Sequence, residues 1–233
     1  HCTTAWARVR DSVSKKKKKE KKRKEKKKKT ILLHGLGQTS SSWKNTINTM
    51  GKSADILCPN LFDWFEDKEV CYQVLYLAFS EYCKQFSEPV NICGLSLGGI
   101  LALQYGIENP DKINSLALVA TQYTMPKKLL QFQNMLFRFM PKRTFERMGL
   151  GKTDFINLSK SMINLDFQKE LKCINSPVMV ICGEKDTANK QASLQLQSQL
   201  PQAELLVIKN SGHEVNIDAP EDLGKALSAF FNL

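Results

Sequence analysis

One stretch, running from Val90 through Gly94-Leu95-Ser96-Leu97-Gly98 to Tyr105, limits the folds open to this chain more than any other. The apolar run Val90 to Cys93 reads as a short buried strand, and Ile100 to Tyr105 continues as a helix. A strand that turns this sharply into a helix holds its central serine in a strained conformation, at the tip of a sheet and over a helix N-terminus. Gly94 and Gly98 lack Cβ atoms, so the chains on either side can approach closely. The Leu97 N–H then points where an oxyanion would develop on a bound substrate. A bare Gly-x-Ser-x-Gly also arises by chance in chains of this length, so its partners downstream decide what it means.

The rest of the chain supplies a sheet for such a turn. Thr30 to Leu33 reads as a buried strand, followed by the glycine-rich loop His34-Gly35-Leu36-Gly37-Gln38. Ser40-Ser41-Ser42 offers N-cap candidates for a helix through Met50. Asp55 to Cys58 predicts a strand stopped by Pro59, and a helix follows over about 67–86 with Cys71, Val74, Leu75, Ala78 and Tyr82 on one face. Beyond the Ser96 turn, strands are predicted over Ile113–Ala120, 177–182 and Leu205–Ile208, with a helix over about 189–199 that stops at Pro201. Asp218 with Glu221 three residues on reads as a capping box for a last helix carrying the stripe Leu223, Ala226, Leu227, Phe230 and Phe231. Residues 123 to about 170 break the rhythm with helical, Met- and Phe-rich sequence, including Met125, Leu129, Leu130, Phe132, Met135, Leu136, Phe137, Phe139, Met140, Phe145 and Met148. That reads as an insertion between sheet elements.

Short apolar strands alternating with helices imply an α/β fold, a mostly parallel sheet with helices on both faces. Ligands bind such sheets at the C-terminal strand edge. His34, Ser96, Asp186 and His213 all follow the ends of predicted strands.

Charge divides the chain in two. The formal net charge is +11, yet the run Lys15–Lys29 alone holds 13 Lys/Arg against 2 Glu, and residues 30–233 carry a net charge of −1. Residues 1–29 are therefore expected to be a solvated, disordered tail, and 30–233 the folded domain. The Lys15–Lys29 run could hold nucleic acid or another anionic surface, although no aromatic residue is interleaved to stack on bases. The plainer reading is a tail without a function, or the product of an A-rich reading frame. The seven cysteines are scattered, odd in number and free of zinc-ligand spacing. They read as buried free thiols, which points to a reducing, cytoplasmic compartment and to no metal. Residues 1–14 lack the apolar core of a signal peptide, and no apolar run is long enough to span a membrane.

A serine hydroxyl is a poor nucleophile near neutral pH and needs a base, which in turn needs an orienting carboxylate. Of three histidines, His1 is in the tail and His34 in the first loop, which leaves His213 in Ser211-Gly212-His213 as the base. Asp186, in Gly183-Glu184-Lys185-Asp186, is the candidate orienter; Asp218 is a rival, and Asp186 could instead only cap the helix after it. His213 could likewise be an ordinary loop histidine. The order Ser, Asp, His belongs to one hydrolase architecture among three.

With these motifs in hand, residues 30–233 resemble the α/β-hydrolase family, and the small-esterase branch in particular. The resemblance rests on His34-Gly35-Leu36-Gly37, Gly94-Leu95-Ser96-Leu97-Gly98-Gly99, Gly183-Glu184-Lys185-Asp186 and Ser211-Gly212-His213. It implies that Ser96 is the nucleophile, Asp186 the acid and His213 the base, with the N–H groups of Leu36 and Leu97 forming the oxyanion hole. His34, Gly35, Gly94 and Gly98 would support those groups. The insertion at about 123–170 would be a small helical cap, and no cofactor is implied. Family members usually open with an antiparallel hairpin, which the Lys run replaces here. A serine at position 96 argues against the dehalogenase and epoxide-hydrolase branches, which use Asp there. The absence of a Trp after Ser96 argues against proline iminopeptidases. The expected substrate is a small carboxylic ester with an apolar acyl or aryl group, although much of the cap's apolar surface must also pack as core. C–C bond hydrolases and thioesterases use the same triad, and a noncatalytic binding protein on this fold, working through its Lys tail, is a third reading.

Overall fold

The structure, a computed structural model, describes residues 28–51, 55–125, 127, 141–147, 149–200 and 202–233. Outside them lie Cys2, the Lys15–Lys29 run apart from Lys28 and Lys29, Pro201 and the apolar residues expected at 128–140 and at Met148.

Six strands occur among the described residues: β1 (Thr30–Leu33), β2 (Ile56–Leu57), β3 (Val90–Leu95), β4 (Ile113–Val119), β5 (Val178–Gly183) and β6 (Ala203–Ile208). They form one sheet in the order β2-β1-β3-β4-β5-β6, and each pairing is parallel. The α-helices among the same residues are α1 (Lys44–Thr49), α2 (Tyr72–Cys83), α3 (Leu97–Glu108), α4 (Lys142–Arg147), α5 (Lys152–Ser161), α6 (Thr187–Gln199), α7 (Val215–Asp218) and α8 (Pro220–Phe231).

The strands read as unbroken apolar runs because both faces of the sheet are covered. Alternate residues point to opposite sides. Ile31, Leu33, Ile92, Leu116, Leu118 and Val180 pack with Leu75 and Phe79 of α2, Leu101 of α3 and Leu196 of α6. Leu32, Cys93, Leu95, Ala117, Val119 and Ile181 pack on the other side with Trp43, Met50, Leu223, Leu227 and Phe231. Each Val, Leu, Ile, Phe or Met side chain among them stabilises the fold by about 1.5–3 kcal/mol relative to exposure.

Several expectations need correcting. The strand predicted at Asp55–Cys58 is only two residues long, Ile56–Leu57. The buried face of α2 is Tyr72, Leu75, Tyr76, Phe79 and Cys83. That is the regular helical stripe i, i+3, i+4, i+7, i+11; of the face expected, Leu75 belongs to it, and Val74 and Tyr82 pack half-buried against the same core. Ser40–Trp43 forms a 3₁₀ turn, and none of these serines caps α1 with its side chain. The capping box at Asp218 and Glu221 does not form: α8 starts at Pro220, its N-cap is Ala219, and Asp218 ends α7. Proline at the first helical position has no N–H to be capped, which frees the Asp218 carboxylate for another donor. Nor are the cysteines uniformly buried: Cys83, Cys93 and Cys182 are, Cys58 and Cys71 are half-buried, and Cys173 is exposed.

Between β4 and β5 the described residues hold α4 and α5, with Phe145 against Phe155 in an edge-on ring contact. The two ends of this segment are tied together. Thr124 and Asp166 form an antiparallel bridge, and Phe167 N–H donates to the Tyr123 carbonyl at 2.9 Å.

Candidate active site

Ser96 sits between β3 and α3 with φ 52° and ψ −111°, a conformation that costs about 1–3 kcal/mol in a residue with a Cβ. The turn is fixed by backbone contacts that only glycine admits. A Cβ on Gly94 would lie 2.1 Å from the Gly98 carbonyl oxygen, and one on Gly98 would lie 2.3 Å from that of Leu33. Ser96 N–H donates to the Val119 carbonyl of β4 at 2.9 Å, which pins the serine to the sheet. Leu97 is the first residue of α3, so its N–H has no acceptor within the helix and stands at the positive end of the dipole.

The first loop lies against this turn. A Cβ on Gly35 would be 3.5 Å from Ser96 Cβ. His34 is fully buried and works as a brace. Leu61 N–H donates to its Nε2 at 3.0 Å, so the proton is on Nδ1, which donates to the Gly35 carbonyl at 3.0 Å. Burial holds this imidazole below its ordinary pKa, against smaller opposing effects of Gly35, Asn60 and Asp63. Leu36 follows this pair in the turn and is partly buried.

Asp186 and His213 come from the loops after β5 and β6. These loops are laid together by Gly183, where a Cβ would meet the Gly212 oxygen at 2.1 Å, and by a 2.9 Å bond from Lys185 N–H to the Ser211 carbonyl. His213 Nδ1 lies 2.8 Å from Asp186 Oδ2. The Asp186 side chain is 6% exposed and that of His213 42%. Burial pushes the Asp186 carboxyl up, but hydrogen bonds from His213 and Asn189 and the imidazole's charge outweigh it, and the group is held below its ordinary pKa. Asp186 is also the N-cap of α6, accepting from Asn189 N–H at 3.3 Å. Capping and pairing with histidine, alternatives in the sequence, are made by one carboxylate.

Asp218, the rival acid, accepts from Gly212 N–H at 2.7 Å and so braces the loop that carries His213. The hydrogen bonds thus join Asp186 to His213; none joins His213 to Ser96 among the described residues. Geometrically, the site offers a half-buried serine at a helix N-terminus and a carboxylate-paired imidazole on the same sheet edge. Those are the parts needed to attack a carbonyl and hold the resulting oxyanion. Among the described residues, no group of three or more His, Cys, Asp or Glu side chains could hold a metal ion.

Sequence reasoning passed over Gln38, Gln122, Asn189 and Asn216, which carry hydrogen bonds around these groups. Two signals were there to be read. Asn189 stands three residues after an N-cap, and Gln122 follows β4 at the sheet's C-terminal edge.

A profile of the alpha/beta hydrolase family matches residues 30–226. The (E)-2-((N-methylformamido)methylene)succinate hydrolase of Acinetobacter baylyi is 20% identical over 249 residues, covering 86% of this chain and 89% of the other. The pimeloyl-[acyl-carrier protein] methyl ester esterase of Aeromonas hydrophila is 23% identical over 240 residues, covering 86% and 94%. The enol-lactonase of Burkholderia xenovorans LB400 superposes with a TM-score of 0.75 at 17% identity, over 91% of this chain and 94% of that one, a likeness of fold.

Proposed function

Because the chain belongs to the alpha/beta hydrolase family, we propose that it is a serine hydrolase of small carboxylic esters, working through an acyl-enzyme. The observation that carries this reading is the 2.8 Å contact of His213 with Asp186, on the sheet edge where Ser96 stands in its strained turn. In the proposed cycle, His213 Nε2 takes the Ser96 proton as Oγ attacks the ester carbonyl, while Asp186 accepts from Nδ1–H and stabilises the imidazolium. Apo hydrogen bonds of this kind often tighten only when substrate is bound. The N–H groups of Leu36 and Leu97 receive the oxyanion. The imidazolium protonates the leaving alcohol, and water deacylates Ser96 by the same base. The segment between β4 and β5 is read as the cap, and its aromatic residues favour an apolar acyl or aryl group.

The relatives include an ester hydrolase, which favours the ester reading. A panel of p-nitrophenyl esters from about C2 to C12, run on wild type and Ser96→Ala, tests it. Ser96→Ala should lower kcat by about 10³-fold or more. Near-wild-type activity in that variant removes Ser96 from the mechanism. A protein labelled at Ser96 by a fluorophosphonate probe yet inactive on every ester points to thioester or C–C bond cleavage with the same triad.

A further inference from the structure

The Asp186 carboxylate is held from two sides, and only one of them is the histidine. Asn189 supplies the other. Its backbone N–H donates to Oδ1 at 3.3 Å, and its side-chain nitrogen lies 2.9 Å from both Oδ1 and Oδ2. The same nitrogen is 3.1 Å from His213 Nδ1. Both nitrogens carry hydrogens directed at the carboxylate they share, so this last contact is a close approach of two donors to one acceptor. The amide of Asn189 has its own anchor: Gln122 Nε2 donates to its Oδ1 at 2.8 Å. Gln122 lies just beyond β4 and immediately before Tyr123, where the segment between β4 and β5 begins.

We propose that Asn189, oriented by Gln122, is a positioning residue for the Asp186–His213 pair. The inference rests on the triad reading above and deepens it. An amide can present either its nitrogen or its oxygen to a neighbour. Turned over, Asn189 would set its oxygen against a buried carboxylate, an arrangement with no hydrogen to share. The carboxylate draws the asparagine nitrogen inward, and Gln122 secures that orientation by meeting the asparagine oxygen with its N–H₂. With donors from Asn189 on both oxygens, the carboxylate keeps Oδ2 towards Nδ1. The imidazole is then held as the Nδ1–H tautomer, and Nε2 keeps the lone pair that accepts the serine proton. A bare capping role for position 189 needs only its backbone N–H, which any residue other than proline provides.

The test uses the full chain with Asn189→Ala, Gln122→Ala, Gln122→Glu and the double alanine variant. Three quantities are read: the rate of Ser96 labelling by a fluorophosphonate probe, kcat and KM on a p-nitrophenyl ester, and Tm. Asn189→Ala should slow labelling and kcat by about 10- to 100-fold with KM little changed, since a hydrogen bond to a charged group is lost. The double variant should be no worse than Asn189→Ala alone, because Gln122 acts through Asn189. Gln122→Glu, nearly the same shape as Gln, should be slower than Gln122→Ala, because its carboxylate repels the asparagine oxygen and turns the amide over. Lost packing gives the reverse order, so this pair decides the matter even where Asn189→Ala folds poorly. Gln122→Glu as active as Gln122→Ala or better, or Asn189→Ala within about threefold of wild type, overturns the proposal. A wild type that is never labelled at Ser96 overturns the triad reading and this proposal with it; a labelled wild type beside indifferent variants overturns this one alone.

Discussion

Gln38 and Asn216 bond to each other through both ends of their amides, Nε2 to Oδ1 at 3.1 Å and Nδ2 to Oε1 at 3.1 Å. Gln38 also donates to Glu214 at 2.8 Å, and its oxygen accepts from Gly35 N–H at 3.4 Å. The pair therefore ties the loop behind β1, which carries Leu36, to the segment that follows His213. Gln38 is 5% exposed and Asn216 1%. Removing either side chain leaves polar groups buried without partners, at about 1–3 kcal/mol. Gln38→Leu and Asn216→Leu should each lower stability by that order, and the double variant by clearly less than the sum. Denaturant titration of the four proteins measures the coupling. Strict additivity would mean that the two amides are independent.

A carboxylate that caps a helix and also hydrogen-bonds an imidazole separates two kinds of loss. In Asp186→Asn, the remaining oxygen can still accept from Asn189 N–H, and asparagine caps about as well as aspartate. Facing His213, however, the new N–H₂ favours the wrong tautomer. Activity should fall by about 10⁴-fold while Tm stays close to wild type. Asp218→Asn keeps an acceptor for Gly212 N–H and should stay within about tenfold in kcat. Equal losses in the two variants would count against Asp186 as the acid.

The parts of the site legible in the sequence are those with a local signature. Ser96 announces itself through glycines two residues away on either side, and β3, β4 and β5 through apolar runs that only a doubly covered sheet requires. The Gln38–Asn216 pair spans 178 residues, and nothing in either neighbourhood marks it. Asp218 misled because its spacing to Glu221 fits a capping box, whereas Pro220 moves the helix start and Gly212 claims the carboxylate. On α2 the error was rotational. Tyr72 and Tyr76 are buried with their hydroxyls bonded to Gln104 and Glu108 of α3, so residues that look amphipathic in sequence face inward.

His34 makes stability depend on acid. Its pKa is lowered in the fold by burial, so the folded state binds its proton less readily than the unfolded state does. The contribution of His34 is whole above the ordinary histidine value, about 6.5, and is lost as pH falls below it towards the depressed folded value. Protonation would also destroy the Nε2 acceptor for Leu61 N–H. Tm should therefore drop between about pH 7 and about pH 5, and drop less in His34→Gln, which starts lower but has no imidazole to charge. Thermal melts of both proteins across that range decide it; parallel curves would place the acid sensitivity elsewhere.

The basic run joins the domain at the opposite sheet edge from the candidate site. Lys29 Nζ pairs with Asp55 at 2.8 Å, and Lys28 with Asn114, beside the start of β1. The four residues of β1 span about 13 Å, longer than the screening length of about 8 Å at physiological salt. Removing residues 1–27 should therefore leave kcat/KM for a neutral ester within about threefold. Lys29 should be retained, because its carbonyl accepts from Asn91 N–H of β3 at 2.9 Å. Salt-sensitive retention of the full chain on RNA, lost with residues 1–27 and unaccompanied by esterase activity, would favour the binding-protein reading.

The strain at Ser96 gives the last prediction, one that needs no substrate. At φ 52° and ψ −111° a residue with a Cβ is held against its preference, at about 1–3 kcal/mol. The surroundings impose this: β3 is fixed by its pairing with β4, and α3 must start where Gly98 passes the Leu33 carbonyl. Ser96→Ala removes the hydroxyl but keeps the Cβ, and so keeps the strain. Ser96→Gly removes both, and its own cost is the greater freedom of glycine in the unfolded chain, about 0.5–1 kcal/mol. Ser96→Gly should thus be more stable than Ser96→Ala by about 1 kcal/mol, and both should be inactive. Denaturant unfolding of the two variants compares them directly. A glycine variant less stable than the alanine variant would mean that the turn carries no strain for glycine to relieve.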